Sequence, residues 1–399
     1  MQELEALSYV YVLFFVMISL EMTVSLLRRD GRYTIADAAT SIIHGMGFQA
    51  SEILTKTLTT LPYLYVASKV VDWHRDPSAP WTWAVAFTLY ELGYYWYHRH
   101  QHEVGLMWAI HAPHHSSEEY NLSTALRQSV FTGVLKWLYF LPIALAGVPF
   151  SVFVGCVIAD LSYEFLIHTR YVPKLGFLEG ILNTPSAHRV HHGRDLKYLD
   201  RNYGAITVLF DRVFGTYQAE QEEPQYGLTK PVRSFDYWET TMHVYRELAR
   251  VSRTTARWQD KLRVWFAPPG WYPQDMGGPK PPDPPGPNDL KHSVSVSLPV
   301  FSYLGVQSLM VSGALGALIL SGDAWPSVMK ALLVASIFWT LFNASGLIQG
   351  RRWAALSESV RVVATVLVLA WVPQSPSGSR ALPAALPVLS VSQAASLLR

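Results

Sequence analysis

The sequence predicts an all-α, polytopic membrane protein whose helical core holds a histidine-rich site for two metal ions. Three observations carry this. Half of the residues are hydrophobic and only 16% are charged, against roughly 25% charged in soluble domains. Several apolar stretches are long enough to cross a bilayer. Of the 14 histidines, six crowd into residues 98–115 and three into 188–192. Residues three or four apart share a helix face. The sets His98/His102, His111/His114/His115 and His188/His191/His192 therefore each aim imidazoles at one point.

The elements follow in chain order. Residues 8–27 make a first span, interrupted only by Glu21. Residues 36–70 are apolar but too long and too polar for one simple span, and are expected to be a crossing plus a re-entrant or interfacial helix. Stretches 129–147 and 150–167 read as a membrane hairpin, with Lys136 in the first and Asp160 and Glu164 in the second. Beyond 268–287, where nine prolines forbid regular helix, residues 298–320 carry no charge and 327–349 only Lys330. A weaker span lies at 354–372, with Glu358 and Arg361 near its start. The expected units are N-terminal membrane helices over 1–97, a catalytic region over 98–267 with the hairpin inside it, a Pro-rich linker over 268–297 and C-terminal membrane helices over 298–399. No repeat of 20–50 residues is evident.

Orientation follows from arginine placement. Arg28, Arg29 and Arg32 follow the first span and Arg351 and Arg352 follow 327–349, which places these ends in the cytoplasm and the acidic start (Glu3, Glu5) outside. With the hairpin returning to the same face, all three histidine sets are expected to be cytoplasmic, and residues 75–80 external. The single Cys156 excludes internal disulfides. The N-terminal apolar run lacks the basic start of a cleavable signal. An integral membrane location is expected, in the endoplasmic reticulum of a eukaryote or the cytoplasmic membrane of a bacterium.

Neutral imidazole suits iron, zinc and copper rather than calcium or magnesium, and eight histidines in three sets exceed the needs of one ion. A structural zinc site favours cysteine and four ligands. A transporter would place its ligands at the membrane midplane, whereas these sit at span ends. His100 has the opposite parity to His98 and His102 and points away. His44, His74, His243 and His292 are isolated and read as ordinary. His168 closes the second hairpin helix twenty residues before His188 and is a candidate ninth ligand. Asp160 and Glu164, four apart in a membrane segment, are costly there and mark function: they line a substrate tunnel, or pair with Arg127 or Arg170.

The order His98-x-x-x-His102, His111-x-x-His114-His115, His188-x-x-His191-His192 resembles the fatty acid hydroxylase superfamily of membrane di-iron oxygenases. The runs 93–128 (GYYWYHRHQHEVGLMWAIHAPHHSSEEYNLSTALRQ), 182–193 (LNTPSAHRVHHG), 201–204 (RNYG), 210–220 (FDRVFGTYQAE) and 226–231 (YGLTKP) are similar to its alkylglycerol monooxygenase branch, as are Pro269-Gly270-Trp271 and the helices beyond. One departure is Ala187, where that branch commonly has histidine. The resemblance implies two iron ions held by the eight motif histidines, and a functionally needed acid at Glu103. It implies tetrahydrobiopterin as reductant, dioxygen, and an alkylglycerol in the membrane as substrate, cleaved to a fatty aldehyde and a glycerol derivative. No pterin motif is recognisable, so that cofactor rests on the resemblance. The competing reading of Glu103 is a surface carboxylate paired with Arg99. The alternative function within the superfamily is a sterol, fatty acid or sphingolipid hydroxylase or desaturase. Neither nucleic acid nor an obligate protein partner is expected.

Overall fold

The computed structural model describes residues 2–371, apart from residue 72, residues 287–288 and residues 322–324. The last residue of the expected 354–372 span, and residues 372–399 of the C-terminal unit, lie outside the described residues. Helices account for the fold, and no strand occurs among the described residues beyond three isolated bridges at Glu179–Leu182, Leu182–Thr207 and Gly193–Tyr226.

The N-terminal part contributes α1 (Gln2–Arg28), α2 (Ile35–Tyr65) and α3 (Pro80–Glu103). Helix α2 differs from the expected crossing plus separate helix. It runs unbroken past Pro62 and ends in a single π turn, Val66–Val70. Two of its polar residues are met from inside the protein. Asp37 pairs with Arg127 at 2.6 Å, and His44 hydrogen-bonds Thr240 at 2.8 Å.

Next come α4 (Gly105–His115), α5 (Gly133–Leu145) and α6 (Phe150–Ile167). Here the expected hairpin is corrected. Ser129–Thr132 form turns instead of helix, so α5 has 13 residues. At 1.5 Å per residue that is about 20 Å, short of the roughly 30 Å hydrocarbon core. Helix α3 packs against both α5 and α6. A Cβ on Gly93 of α3 would meet the Tyr139 carbonyl at 2.6 Å, so only glycine allows that close approach.

The rest comprises the short α7 (Pro185–His191) and α8 (Leu209–Phe214), then α9 (Tyr237–Thr254), α10 (Trp258–Arg263), α11 (Leu298–Ser321), α12 (Ser327–Ile348) and α13 (Arg352–Trp371). Among the described residues, three segments are long and apolar enough to cross a membrane: Phe150–Ile167, Leu298–Ile319 and Ser327–Ile348. One core gathers α2, α11 and α12 around Ile43, Met46, Leu304, Leu341 and Ile348; a second joins α3, α5 and α6 around Tyr90, Phe140 and Val152. In a third, Phe14 of α1 stacks on Phe165 of α6 with centroids 3.8 Å apart. Among its described residues, the Pro-rich segment shows only a 3-10 turn at Gln274–Met276. It is strapped to the catalytic region through Asp289–Arg194 (2.9 Å) and Lys291–Glu119 (2.7 Å).

Candidate metal centre

Local structure aims each histidine. Helix α3 stops at Val104, whose extended backbone (φ −118°, ψ 119°) turns the chain so that α4 folds back. The first α4 amides lack helical partners; Gly105 N–H donates to Ala267 O (2.9 Å) and Leu106 N–H to Trp265 O (2.7 Å). A seven-residue helix, α7, carries the third set. It begins at Pro185, whose fixed φ and missing N–H suit the first helical turn, and Thr184 caps it by accepting from Ala187 N–H at 3.2 Å.

The result is two buried clusters. His98, His102, His111, His115 and His191 form one; His114, His168, His188 and His192 form the other. Within each, one ligand atom per residue lies within 4.8 Å of all the rest. The pairs four apart stay together, while His114 and His191, each the middle member of its motif, cross to the other cluster. All nine side chains are at most 7% exposed.

Their nitrogens face one another. Nε2 of His98 lies 3.0 Å from that of His111, and His111 3.2 Å from His115. In the second cluster His168 Nε2 is 3.1 Å from that of His188 and 3.4 Å from that of His114. Nε2 of His102, His191 and His192 is buried with no hydrogen-bond partner. Two nitrogens each about 2.1 Å from one ion and at right angles around it lie about 3.0 Å apart, so the donor set fits resident metals. Burial, reinforced by neighbouring imidazoles, pushes His98, His111, His114, His115, His188, His191 and His192 well below the ordinary range. Burial also pushes His168 down to about 4. Each shift favours the neutral imidazole, the form that binds metal.

Several outer nitrogens face acceptors. His114 Nδ1 lies 3.3 Å from Arg127 O and 3.2 Å from Gln128 Nε2. His98 Nδ1 donates to Tyr203 O (3.1 Å), His191 Nδ1 to Arg201 O (2.9 Å) and His168 Nδ1 to Glu164 O. Each such bond fixes the tautomer that leaves Nε2 free to bind. Nδ1 of His102 lies 3.3 Å from the Asp200 carboxylate. Three of these partners come from one loop, 200–203, whose Asp200 and Asn202 both adopt φ of 57°. Asn202 holds the loop by donating to Ala187 O and Gln218 O (2.9 and 2.8 Å), and Asp211 accepts from Tyr203 N–H and Gly204 N–H at 2.7 Å each.

The sequence reading missed Asp200, Asn202 and Asp211. The run RNYG was visible, and an asparagine and a glycine so close together signalled a turn, but its neighbours in space were not. Glu103, last residue of α3, accepts from Arg99 Nε at 2.8 Å and its side chain is 41% exposed. That is the surface ion pair named as its competing reading. His100 faces Tyr139 instead of the clusters, 2.8 Å from its hydroxyl. Arg127 and Arg170 bind Asp37 and Glu223, leaving Asp160 and Glu164 to Tyr90 and Tyr94.

The fatty acid hydroxylase family model matches residues 83–216, which include every histidine of the two clusters. An alkylglycerol monooxygenase of Danio rerio is 35% identical over 88% of this chain and 79% of its own length. The alkylglycerol monooxygenase of Homo sapiens is 36% identical, over 86% and 77% respectively. The chain belongs to the alkylglycerol monooxygenase family. Other relatives match less of it: an ornithine lipid hydroxylase of Rhizobium tropici is 30% identical over 48% of this chain. The family region thus coincides with the metal centre, and the family relatives extend beyond it into the C-terminal helices. No solved structure matches the chain.

Proposed function

We propose that this chain is a membrane monooxygenase that hydroxylates the carbon next to the ether oxygen of an alkylglycerol. The observation that carries the reading is the pair of buried all-histidine clusters in a chain of this family. Hydrolysis of an alkyl ether is slow, because alkoxide leaves poorly from an unactivated carbon. Hydroxylation avoids that: R–CH2–O–R′, O2, two electrons and two protons give R–CH(OH)–O–R′ and water. The hemiacetal then collapses to the fatty aldehyde and a glycerol.

His98, His102, His111, His115 and His191 would hold one iron ion, and His114, His168, His188 and His192 the other. When bound, the iron pair supplies the dioxygen activation that an unactivated C–H bond requires. The chain's own contribution is a buried, pre-arranged donor set. Carbonyls of residues 203 and 201 fix the tautomers of His98 and His191. Tetrahydrobiopterin is the proposed two-electron donor. Glu103, next in the chain to the ligand His102 and paired with Arg99, is proposed as the functionally needed acid.

We read residues 1–97 as N-terminal membrane helices, 98–267 as the catalytic region, 268–297 as a linker and 298–399 as C-terminal membrane helices. The centre faces the cytosol in an integral, multi-pass protein. Packing supports one sidedness: Arg32, after the first helix, donates to Arg170 O and sits 4.1 Å over the Tyr171 ring, beside His168. At the other end of α6, Arg75 binds the Ala146 and Gly147 carbonyls. The proposed location is the endoplasmic reticulum in a eukaryote or the cytoplasmic membrane in a bacterium.

The test is release of a fatty aldehyde of matching chain length from 1-O-alkylglycerol, dependent on O2 and a tetrahydropterin. Hydroxylation of a sterol or acyl chain instead, with no ether-lipid turnover, would move the protein to another branch of the superfamily.

A further inference from the structure

Two helices that supply the metal centre carry a second polar feature on the same faces. On α3, residues four apart read Tyr90, Tyr94, His98 and His102; on α6 and its end they read Asp160, Glu164 and His168. Side chains four apart stack along one helix face, and the two stripes meet rung by rung. Tyr90 Oη donates to Asp160 Oδ2 at 2.6 Å, and Tyr94 Oη donates to Glu164 Oε2 at 2.7 Å. The ladder reaches the metal centre directly, since the Tyr94 ring meets the His98 ring edge-on at 5.4 Å and Glu164 O accepts from His168 Nδ1.

Each carboxyl is held by one oxygen only. Asp160 Oδ1 and Glu164 Oε1 are buried and have no hydrogen-bond partner among the described residues. Asp160 is 4% exposed, and Tyr90, which holds it, 1%. A buried oxygen without a donor is costly, and a native site supplies one from a ligand or from water. The tyrosine hydroxyls have already fixed which oxygen of each acid is left free.

We propose that the free oxygens of Asp160 and Glu164 form the subsite for the hydroxyls of the substrate's glycerol head. This rests on the ether-lipid reading and deepens it. A 1-O-alkylglycerol offers two adjacent hydroxyl donors one and two carbons beyond the carbon attached to its ether oxygen. Glu164 lies one helical turn from His168 and Asp160 two, about 6 and 12 Å of axial rise. Head hydroxyls held at Glu164, with Asp160 beyond it, leave the carbon on the alkyl side of the ether oxygen beside the imidazoles. Unpartnered carboxyl oxygens suit hydroxyl groups and give nothing to an ether that lacks them.

The experiment is equilibrium binding to the full-length, iron-loaded protein in nanodiscs, without reductant so that nothing turns over. The probes are 1-O-hexadecylglycerol and hexadecyl propyl ether, which has the same chain and ether but no hydroxyl. Wild-type protein is expected to prefer the diol lipid by about tenfold or more. Asp160→Leu and Glu164→Leu should erase most of that preference while binding the plain ether as before. Asp160→Asn and Glu164→Gln, which keep an acceptor and the volume, should retain part of it with full metal content. An equal loss for both probes in every variant would overturn the subsite in favour of a structural role. No preference in the wild type would leave water as the occupant and overturn it too. Wild-type protein that binds neither probe, and releases no aldehyde with pterin and O2, overturns the ether-lipid reading itself and the subsite with it.

Discussion

His98 Nε2 and His111 Nε2 lie 3.0 Å apart although the residues occupy different helices and neither nitrogen can donate to the other while both outer nitrogens keep their protons. His98 Nδ1 donates to Tyr203 O, so a lone pair of His98 Nε2 points into that gap. Loss of either side should remove an ion, and the division into clusters makes the loss selective. His98→Ala should leave about one metal per chain in place of two, and His188→Ala likewise, from the other cluster; each should lower turnover at least about 100-fold. Metal analysis with single-turnover assays checks this. His100→Ala, on Tyr139, should keep both ions.

Asp200 and Glu103 should separate. The Asp200 carboxylate lies against His102 Nδ1, so Asp200→Asn should weaken metal affinity about 10- to 100-fold. Glu103 touches Arg99 and solvent; Glu103→Gln should keep full metal and lose most activity. Competition with a chelator, run beside turnover, distinguishes the two. An amide at Glu103 that costs no activity leaves it a surface ion pair.

Acid should destabilise the metal-free protein. His168 has an ordinary pKa near 6.5 unfolded and about 4 folded, so between those values the unfolded chain binds a proton that the folded chain refuses. Stability is therefore full above pH 6.5 and falls as pH drops towards 4, by about 3 kcal/mol for this residue alone. Melting curves of the chelated protein between pH 7 and 4 measure it. A melting temperature flat across that range would show that His168 is not held neutral by burial.

The histidines were legible in the sequence because their spacing is a helical period, and the all-helical fold followed from apolar length. His168 was visible only as a candidate, since nothing local says that the end of α6 returns to His188. What periodicity could not show was division of labour. His114 sits three after His111 yet joins the other cluster, while His115, four after His111, stays with it. The length of α5 was also hidden: Ser129–Thr132 are apolar enough to extend a span, but they form turns before Gly133. Long-range partners such as Asp200 and Asp211 leave no periodic signal.

Topology should follow the packing of Arg32 with Tyr171 at one end of α6 and Arg75 with Ala146 at the other. Tags at residue 75 and within 275–285 should report opposite faces, the latter cytosolic. Accessibility labelling in intact vesicles reads this out, and an external 275–285 would put the centre on the wrong face for a cytosolic pterin.

The central claim is oxygenation of the ether carbon, and the source of the aldehyde oxygen tests it most directly. The purified protein would be given 1-O-hexadecylglycerol, a tetrahydropterin and ¹⁸O2, with the aldehyde trapped at once by borohydride as hexadecanol. Collapse of the hemiacetal keeps the newly added oxygen on the alkyl fragment, so the account predicts ¹⁸O in the hexadecanol and none in the glycerol. Hexadecanol carrying oxygen from water or from the original ether, with no label from ¹⁸O2, would contradict it.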